Sequence, residues 1–182
     1  MLHSDIKEVL FTKEQIDKRV GEIADELNKH YSNDETLYCI GLLKGSGMFM
    51  MDLVRKLTMP VVFDFMVVSS YGGYTVSSGN VNVLYDVRIP IENKNILIIE
   101  DIIDTGNTLT KIKELFVAQK PASIKIATFL NKQQRRKQPL NADYVGYDIP
   151  DEFVVGYGLD YNEKYRNLPY IGVLKESVWG KS

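Results

Sequence analysis

The sequence is poor in cysteine and histidine, and this scarcity excludes several kinds of site. Cys39 has no second cysteine with which to form an internal disulfide, as is typical of proteins from a reducing compartment. The two histidines, His3 and His30, lack the spacing of zinc ligands, and we interpret both as surface residues. The sequence therefore predicts neither a disulfide framework nor a histidine-based metal site.

Long apolar runs and an excess of positive charge are also missing. No uninterrupted apolar stretch approaches the roughly 18 residues of a membrane span, and the N-terminal stretch MLHSDIKEVLF lacks the basic and longer apolar regions of a signal peptide. With 22 basic and 24 acidic residues the formal net charge is −2, which favours neither a general nucleic-acid-binding protein nor a membrane-surface protein. We therefore expect a cytoplasmic protein with no nucleic-acid or membrane partner.

The chain alternates between aliphatic runs of strand length and stretches with helical periodicity. Thr12-Lys-Glu-Gln15 matches a capping box, and the apolar residues after it predict a helix over 13–30. Further helices are predicted over 48–57 and 108–119, and strands over 37–43, 61–68, 81–87, 94–99, 123–130, 144–149, 154–157 and 170–174. This order indicates an α/β fold, with a mostly parallel twisted sheet flanked by helices. We expect one domain over 1–182, with a small hood lobe formed by the N-terminal segment and the residues after about 150.

The stretch ILIIEDIIDTGNTLTKI, residues 96–112, combines a strand with polar groups suited to a ligand. Glu100 and Asp101 are predicted at the carboxyl end of the strand, where parallel sheets bind ligands, and carboxylates suit sugar hydroxyls or Mg²⁺. Residues 105–108 form a turn into a helix whose backbone N–H groups suit a phosphate, and Gly106 permits close approach. The stretch predicts a sugar-phosphate site; the alternative is a capped turn with solvated acids.

The pattern of four aliphatic residues, Glu-Asp, two aliphatic residues and Asp-Thr-Gly-Asn-Thr resembles the signature of the type I phosphoribosyltransferases. It is most similar to their purine-salvage branch, the hypoxanthine(-guanine) phosphoribosyltransferases of bacterial type. Asn107 stands where the mammalian enzymes carry Lys, as in bacterial members. The resemblance runs from about Glu35 to Glu176: residues 43–45 resemble the pyrophosphate loop, and FVVGYGLDYNEKYR (153–166) resembles the purine-stacking and pyrophosphate segment.

The resemblance implies a reaction and a set of site residues. The 5-phosphoribosyl group of phosphoribosyl pyrophosphate would pass to a 6-oxopurine (hypoxanthine, and guanine as well), giving IMP or GMP and pyrophosphate, with Mg²⁺ as cofactor and a homodimer or homotetramer as the assembly. By the same resemblance, ribose and Mg²⁺ are held by Glu100 and Asp101, and the 5-phosphate by Asp104, Thr105, Gly106, Asn107 and Thr108. Pyrophosphate is held by Lys44, Gly45 and Arg166. The purine site is formed by Lys132, Phe153, Val154 and Asp160, and Asp160 also supports a second Mg²⁺.

Two further roles follow from the resemblance together with residue chemistry. A carboxylate at Asp104 could accept the purine N7 proton as N9 attacks, so Asp104 is the predicted catalytic base. The Ser-, Gly- and Tyr-rich stretch 69–80, with Ser70 and Tyr71 at the family's Ser-Tyr, is predicted to be a long loop that closes over the reaction.

Several site residues also have simpler interpretations. Taken singly, Phe153 would be an ordinary core residue, Lys132 a solvated residue of a basic loop, and Arg166 a partner in a surface ion pair. Only the constellation around the 100–108 stretch favours the functional interpretation.

Two other functions compete with this one. A Rossmann-type dinucleotide enzyme would use Gly45-Ser-Gly47, but the third glycine is replaced by Met50, and no P-loop motif occurs. A nucleic-acid-binding regulator on the same fold would need a basic face, and the basic residues cluster only at 132–137.

Overall fold

The computed structural model describes residues 3–70 and 81–180. Within these ranges the elements, in chain order, are β1 (Ile6–Phe11), α1 (Lys13–His30), β2 (Leu37–Leu43), α2 (Gly47–Val54), β3 (Val61–Ser70), β4 (Val81–Tyr85), β5 (Asn95–Ile103), α3 (Asn107–Val117), β6 (Ser123–Asn131), β7 (Tyr144–Asp148), β8 (Val154–Val155), β9 (Ile171–Leu174) and α4 (Glu176–Trp179). A 3₁₀ turn covers Gln133–Arg135. Among the helices of residues 3–70 and 81–180, none combines the length and the apolar character that a membrane span requires.

The larger sheet of the described chain has the strand order β4-β3-β2-β5-β6-β7. All neighbouring strands are parallel except β3 and β4, which are antiparallel. Because the strands are covered on both faces, their residues alternate between two apolar layers. Cys39 and Leu97 belong to the layer that contains α1 and α2, whereas Ile40 and Ile98 belong to the layer that contains α3. The predicted α/β class, with a mostly parallel sheet between helices, is confirmed.

A second, three-stranded sheet is found in the described residues, with the order β1-β9-β8 and antiparallel pairing. We call this sheet, together with residues 150–180, the hood. Val154 and Val173 on one face of the sheet pack into the main core, while Ile6, Val155 and Leu174 form a separate cluster on the other face. The hood therefore has apolar contacts on both of its faces.

The helix over Lys13–His30 has the predicted bounds, and its capping box is present because Thr12 and Gln15 bond each other's backbone N–H groups. His3 and His30 are exposed, as predicted. Several predicted strands end one or two residues away from the observed ends, and one differs by four residues. The strand predicted to end at Ile99 continues as β5 to Ile103, because β6 continues to pair beside it.

Other differences concern the ends of elements and the polar stretch 69–80. The second helix ends at Val54 rather than Leu57, and β1 was not predicted. Ser70 belongs to β3, so its backbone is part of a strand rather than of the predicted loop. Tyr71 and the remainder of the loop, 71–80, lie outside the described residues.

Two glycines offer a matched test of how this backbone tolerates a side chain. Gly158 has φ +100°, and an added Cβ would overlap the carbonyl oxygen of Gly45. Gly158→Ala should therefore destabilise the protein by at least ~1–3 kcal/mol, from the left-handed backbone alone. In α1, a Cβ at Gly21 would meet nothing within 4 Å. Gly21→Ala should stabilise the protein by ~0.5–1 kcal/mol. Urea denaturation measures both changes, and equal effects at the two positions would contradict this account.

Candidate active site

A cleft of about 310 Å³ lies at the carboxyl ends of β2 and β5. Its lining comes mainly from three segments: residues 42–45 at the end of β2 and just after it, residues 100–106, 108 and 109 from the end of β5 to the start of α3, and Asp160 and Arg166 of the hood. Val68 of β3 adds one apolar side chain. The predicted site residues that line it are Lys44, Gly45, Glu100, Asp101, Asp104, Thr105, Gly106, Thr108, Asp160 and Arg166. Three segments far apart in sequence thus meet where ligands bind in sheets of this kind. The predicted residues Asn107, Lys132, Phe153 and Val154 do not line this cleft.

The turn between β5 and α3 has the form of an anion site. Gly106 has φ +82°, a conformation that residues other than glycine rarely adopt, and α3 begins at the next residue. With no side chain, Gly106 cannot cap the helix, so the N–H groups of the first turn are available to a ligand. Thr105 places its hydroxyl 3.4 Å from the backbone nitrogen of Asn107.

The loop after β6 supports this turn. The sequence did not predict that contact. The carbonyl of Thr105 accepts hydrogen bonds from the backbone N–H groups of Lys137 (2.9 Å) and Gln138 (3.3 Å). The side-chain amide of Gln138 donates to Asn107 Oδ1 at 2.9 Å. Arg136 lies against Gly106, since an added Cβ there would meet Arg136 Cδ at 3.1 Å. The loop after β6 therefore holds the turn in place before any ligand binds.

The adjacent acids Glu100 and Asp101 lie near the end of β5 and face different neighbours. Burial, and then the nearby negative charge of Asp101, raise the pKa of Glu100 well above its ordinary value. The carboxylate of Asp101 rests against the backbone of Gly45, where any side chain would overlap it. Since Gly158 in turn packs on the carbonyl of Gly45, Asp101, the loop after β2 and the hood are in direct contact.

The oxygen atoms that line the cleft suit Mg²⁺ shared with a ligand better than a metal ion bound by protein side chains alone. Within the described ranges no group of three or more His, Cys, Asp or Glu side chains could hold a metal ion. Glu100 and Asp101 offer hard oxygen atoms on one side of an open cleft. Mg²⁺ commonly binds one or two carboxylates and completes its shell with substrate phosphates and water. The residues present suit a cation that is held jointly with a phosphorylated ligand.

Asp104, the predicted base, follows β5 directly. Its Oδ1 atom is buried, and no hydrogen-bond partner for it exists in residues 3–70 and 81–180. Arg135 Nε lies 3.0 Å from the same atom, in an ion pair without hydrogen-bond geometry. Within the described residues, no internal donor therefore takes up the lone pairs of this oxygen through a hydrogen bond. Arg135 was not predicted as a site residue.

Lys132 is buried, unlike a solvated residue of a basic loop. Its side chain is 10% exposed, and its backbone N–H donates to the carbonyl of Ile103 at 2.9 Å. This bond places Lys132 beside the residue that precedes Asp104. Its ammonium group contacts Oδ1 of Asp151 at 3.3 Å. Asp151 was not among the predicted site residues.

Two cationic residues of the cleft, Lys44 and Arg166, are each paired with an acid. Lys44, which follows a cis peptide bond after Leu43, contacts Glu163 at 2.9 Å. Arg166 contacts Asp160 at 2.9 Å and donates to the carbonyl of Gly158 at 2.8 Å. Lys44 and Arg166 are thus close to the Gly45–Gly158 contact, and an anion binding there would compete with internal carboxylates.

Phe153 packs among aromatic residues of the hood. Its ring stacks on Trp179 with centroids 5.5 Å apart and an interplanar angle of 18°, and it meets Tyr161 edge-on at 5.5 Å. Val154 is buried in β8. Trp179 comes from the C-terminal helix, and no sequence pattern connected it to Phe153.

The raised pKa of Glu100 predicts how stability changes with pH when no metal is present. Below the ordinary carboxyl pKa the group is neutral in both the folded and unfolded states, so Glu100→Gln should change little. As pH rises through the raised pKa, ionised Glu100 destabilises the fold, whereas Gln stays neutral. The melting temperature of Glu100→Gln should therefore exceed that of wild type more at about pH 8 than at about pH 4.5.

Thermal denaturation in chelator across this pH range measures the difference. Exposed Glu92 supplies the control, since Glu92→Gln should show no comparable dependence on pH. If Glu100→Gln raised the melting temperature by the same amount at every pH, the raised pKa of Glu100 would be contradicted.

Proteins of similar sequence and structure are phosphoribosyltransferases, as the geometry of the cleft leads one to expect. The phosphoribosyl transferase domain family matches residues 8–162. A hypoxanthine-guanine phosphoribosyltransferase of Staphylococcus aureus is 52% identical over 98% of this chain and 99% of that protein. The crystal structure of a hypoxanthine phosphoribosyltransferase from Staphylococcus aureus superposes with a TM-score of 0.93 at 52% identity, covering 97% of this chain and 96% of that one.

A more distant relative extends the similarity beyond bacteria. The hypoxanthine phosphoribosyltransferase of Trypanosoma cruzi, solved in complex with its product IMP, has a TM-score of 0.92 at 41% identity, over 98% of this chain and 99% of that one. Similarity over nearly the whole length extends to the hood as well as the larger sheet. The chain belongs to the phosphoribosyltransferase family, in its hypoxanthine-guanine branch.

Proposed function

We propose that this protein transfers the 5-phosphoribosyl group of phosphoribosyl pyrophosphate to hypoxanthine, and to guanine as well, giving IMP or GMP and pyrophosphate in purine salvage. The observation that carries the proposal is the cleft in which Lys44, the Glu100–Asp101 pair, Asp104 and the Thr105–Thr108 turn meet. A turnover assay with phosphoribosyl pyrophosphate, Mg²⁺ and each nucleobase in turn, followed by pyrophosphate release, tests it. Absence of turnover with every 6-oxopurine would reject it.

The donor would bind along the cleft from the α3 turn to the hood. The turn Thr105–Thr108 would hold the 5-phosphate through backbone N–H groups and threonine hydroxyls. Glu100 and Asp101 would hold the ribose hydroxyls and Mg²⁺, while Lys44, Gly45 and Arg166 would hold pyrophosphate. When bound, Mg²⁺ neutralises negative charge on the departing pyrophosphate.

The chemistry would then require one proton transfer by the protein. Purine N9 attacks C1′ of the ribose as the bond from C1′ to the pyrophosphate oxygen breaks, and the proton on N7 passes to Asp104. Asp104 Oδ1 suits this role because it is buried and makes no hydrogen bond within the described residues. Asp160, which is paired with Arg166, would complete the purine site and support a second Mg²⁺.

The purine would be selected by residues beside the cleft. Lys132 would donate to the 6-oxo group, Phe153 would stack on the ring, and Val154 would bond the purine through its backbone. Because Trp179 and Tyr161 pack on Phe153, the plane of its ring is held in place. A homodimer or homotetramer is the proposed assembly, and light scattering after size-exclusion chromatography tests it.

The nucleic-acid-binding alternative has no supporting observation. Two members of the basic cluster at 132–137 are paired with acids: Lys132 contacts Asp151, and Arg135 contacts Asp104 and Asp151. A third, Arg136, donates to the carbonyl of Leu140. The cluster is therefore used within the fold and does not form a free basic face.

Asp104→Asn tests the base. The amide keeps the size of the side chain but cannot accept a proton, so kcat should fall by about 10²–10⁴-fold while donor affinity changes little. Steady-state kinetics and equilibrium binding of phosphoribosyl pyrophosphate measure the two quantities. Exposed Asp25 in α1 provides the control, because Asp25→Asn should alter neither. An Asp104→Asn enzyme with wild-type kcat would remove Asp104 from the chemistry.

Lys132 should determine the choice of base. An ammonium group only donates, so it pairs with a 6-oxo group but leaves an unpaired donor opposite the amino group of adenine. Such a buried mismatch costs about 1–3 kcal/mol, more for a charged group, so hypoxanthine should be used well and adenine poorly. Lys132→Gln should lower kcat/KM for hypoxanthine and narrow its advantage over adenine. Equal use of the two bases by the wild-type enzyme would overturn both the role of Lys132 and the substrate assignment.

A further inference from the structure

Four charged side chains form a continuous chain beside the cleft. Lys132 Nζ contacts Asp151 Oδ1 at 3.3 Å, and Arg135 Nη1 contacts the same oxygen at 3.3 Å. Arg135 Nε in turn lies 3.0 Å from Asp104 Oδ1. Asp151 thus lies between the two cations, one of which contacts the proposed base while the other is the proposed reader of the 6-oxo group.

The backbone brings these four residues together from separate parts of the fold. Lys132 and Arg135 lie in the loop after β6, and the N–H of Arg135 donates to the carbonyl of Lys132 at 3.2 Å. Asp104 directly follows β5, whereas Asp151 lies in the hood. The chain of ion pairs therefore crosses from the larger sheet to the hood, beside the place where the purine would enter.

The contact between Arg135 and Asp151 adds little to stability. The two side chains are each 48% exposed, and exposed ion pairs contribute only ~0–1 kcal/mol. Partial desolvation acts to raise the pKa of Asp151, but hydrogen bonds from Lys132 and Arg135 lower it below its ordinary value. Asp151 is thus an anion that two site cations share, and Lys132, which is mostly buried, has it as a charged partner.

We propose that Asp151 is a positioning residue of the purine site, which orients Lys132 directly and Asp104 through Arg135. This inference rests on the proposed function. A lysine has a flexible four-carbon stem, so a fixed anion that holds its ammonium group reduces the entropy lost when the purine binds. Arg135 would orient the Asp104 carboxylate by charge, and within the described residues Oδ1 makes no hydrogen bond that the purine N7 proton would have to displace.

Two variants separate the two branches of this chain. Asp151→Asn removes the shared anion, and KM for hypoxanthine should rise by about tenfold while KM for phosphoribosyl pyrophosphate stays within about twofold. The advantage of hypoxanthine over adenine should shrink as well. Arg135→Gln acts on the other branch, and it should lower kcat more than it raises KM for hypoxanthine. Asp151→Glu, which keeps the charge, should recover part of the lost kcat/KM.

A surface ion pair of similar length provides the control. Lys111 and Glu114 in α3 are 3.0 Å apart and about half exposed, and Glu114→Gln should leave every kinetic parameter and the specificity ratio unchanged. Melting temperatures measured alongside show whether a variant is merely less stable.

The results distinguish this inference from the proposed function. Turnover of hypoxanthine by the wild-type enzyme, with a selective rise in KM for hypoxanthine in Asp151→Asn and partial recovery in Asp151→Glu, supports the positioning role. Wild-type turnover with unchanged kinetics in Asp151→Asn overturns that role alone. A uniform loss for both substrates that parallels a lower melting temperature also overturns it, since Asp151 would then be structural. If the wild-type enzyme turns over no 6-oxopurine, the proposed function fails and the inference fails with it.

Discussion

The contact of Asp101 with Gly45 is the constraint on which the candidate site depends. The carboxylate can rest on the loop after β2 only because position 45 has no side chain, and the hood can rest on the same loop only because position 158 has none. Two glycines from distant parts of the chain therefore allow three segments to meet without intervening atoms. Protein interiors are densely packed, so even one added methyl group would force these segments apart. The cleft is then a consequence of close backbone packing.

When no ligand is bound, the charged side chains of the cleft are balanced by other groups of the protein. Lys44 and Arg166 are paired with Glu163 and Asp160, and the raised pKa of Glu100 favours its neutral form. Buried or crowded charges are unfavourable unless they are paired or neutralised. A ligand that brings both anionic phosphates and a cation could exchange these internal pairs for its own. The site is therefore matched to a ligand with charges of both signs.

The loop after β6 connects the two halves of the proposed reaction. Through Thr105 it supports the turn that would bind the 5-phosphate, and through Lys132 and Arg135 it reaches the residues that would act on the purine. Its backbone is fixed to both, because the N–H of Lys132 donates to Ile103 and that of Lys137 donates to Thr105. A single short segment thus sets the distance between the phosphate turn and the purine site.

Local sequence patterns were sufficient wherever the causes of structure are local. The helix over about 13–30 could be predicted because its capping box and apolar stripe lie within or next to its own sequence. The turn at 105–108 was likewise evident from Gly106 and the residues around it. The resemblance of residues 100–108 to a known family then indicated the candidate acids, the candidate base and the candidate phosphate turn before any geometry was available.

Only the tertiary structure decided what depends on partners far away in the chain. The strand β1 escaped prediction because its pairing partner, β9, lies at the other end of the sequence, and β5 extends to Ile103 because β6 pairs beside it. No local pattern could show that Asp151 would meet Lys132 and Arg135. The sequence by itself determined which residues could carry the chemistry, since residue type and local spacing set what each can donate, accept or cap. Their mutual distances were decided by strand pairing and close packing, which join segments that the sequence leaves far apart.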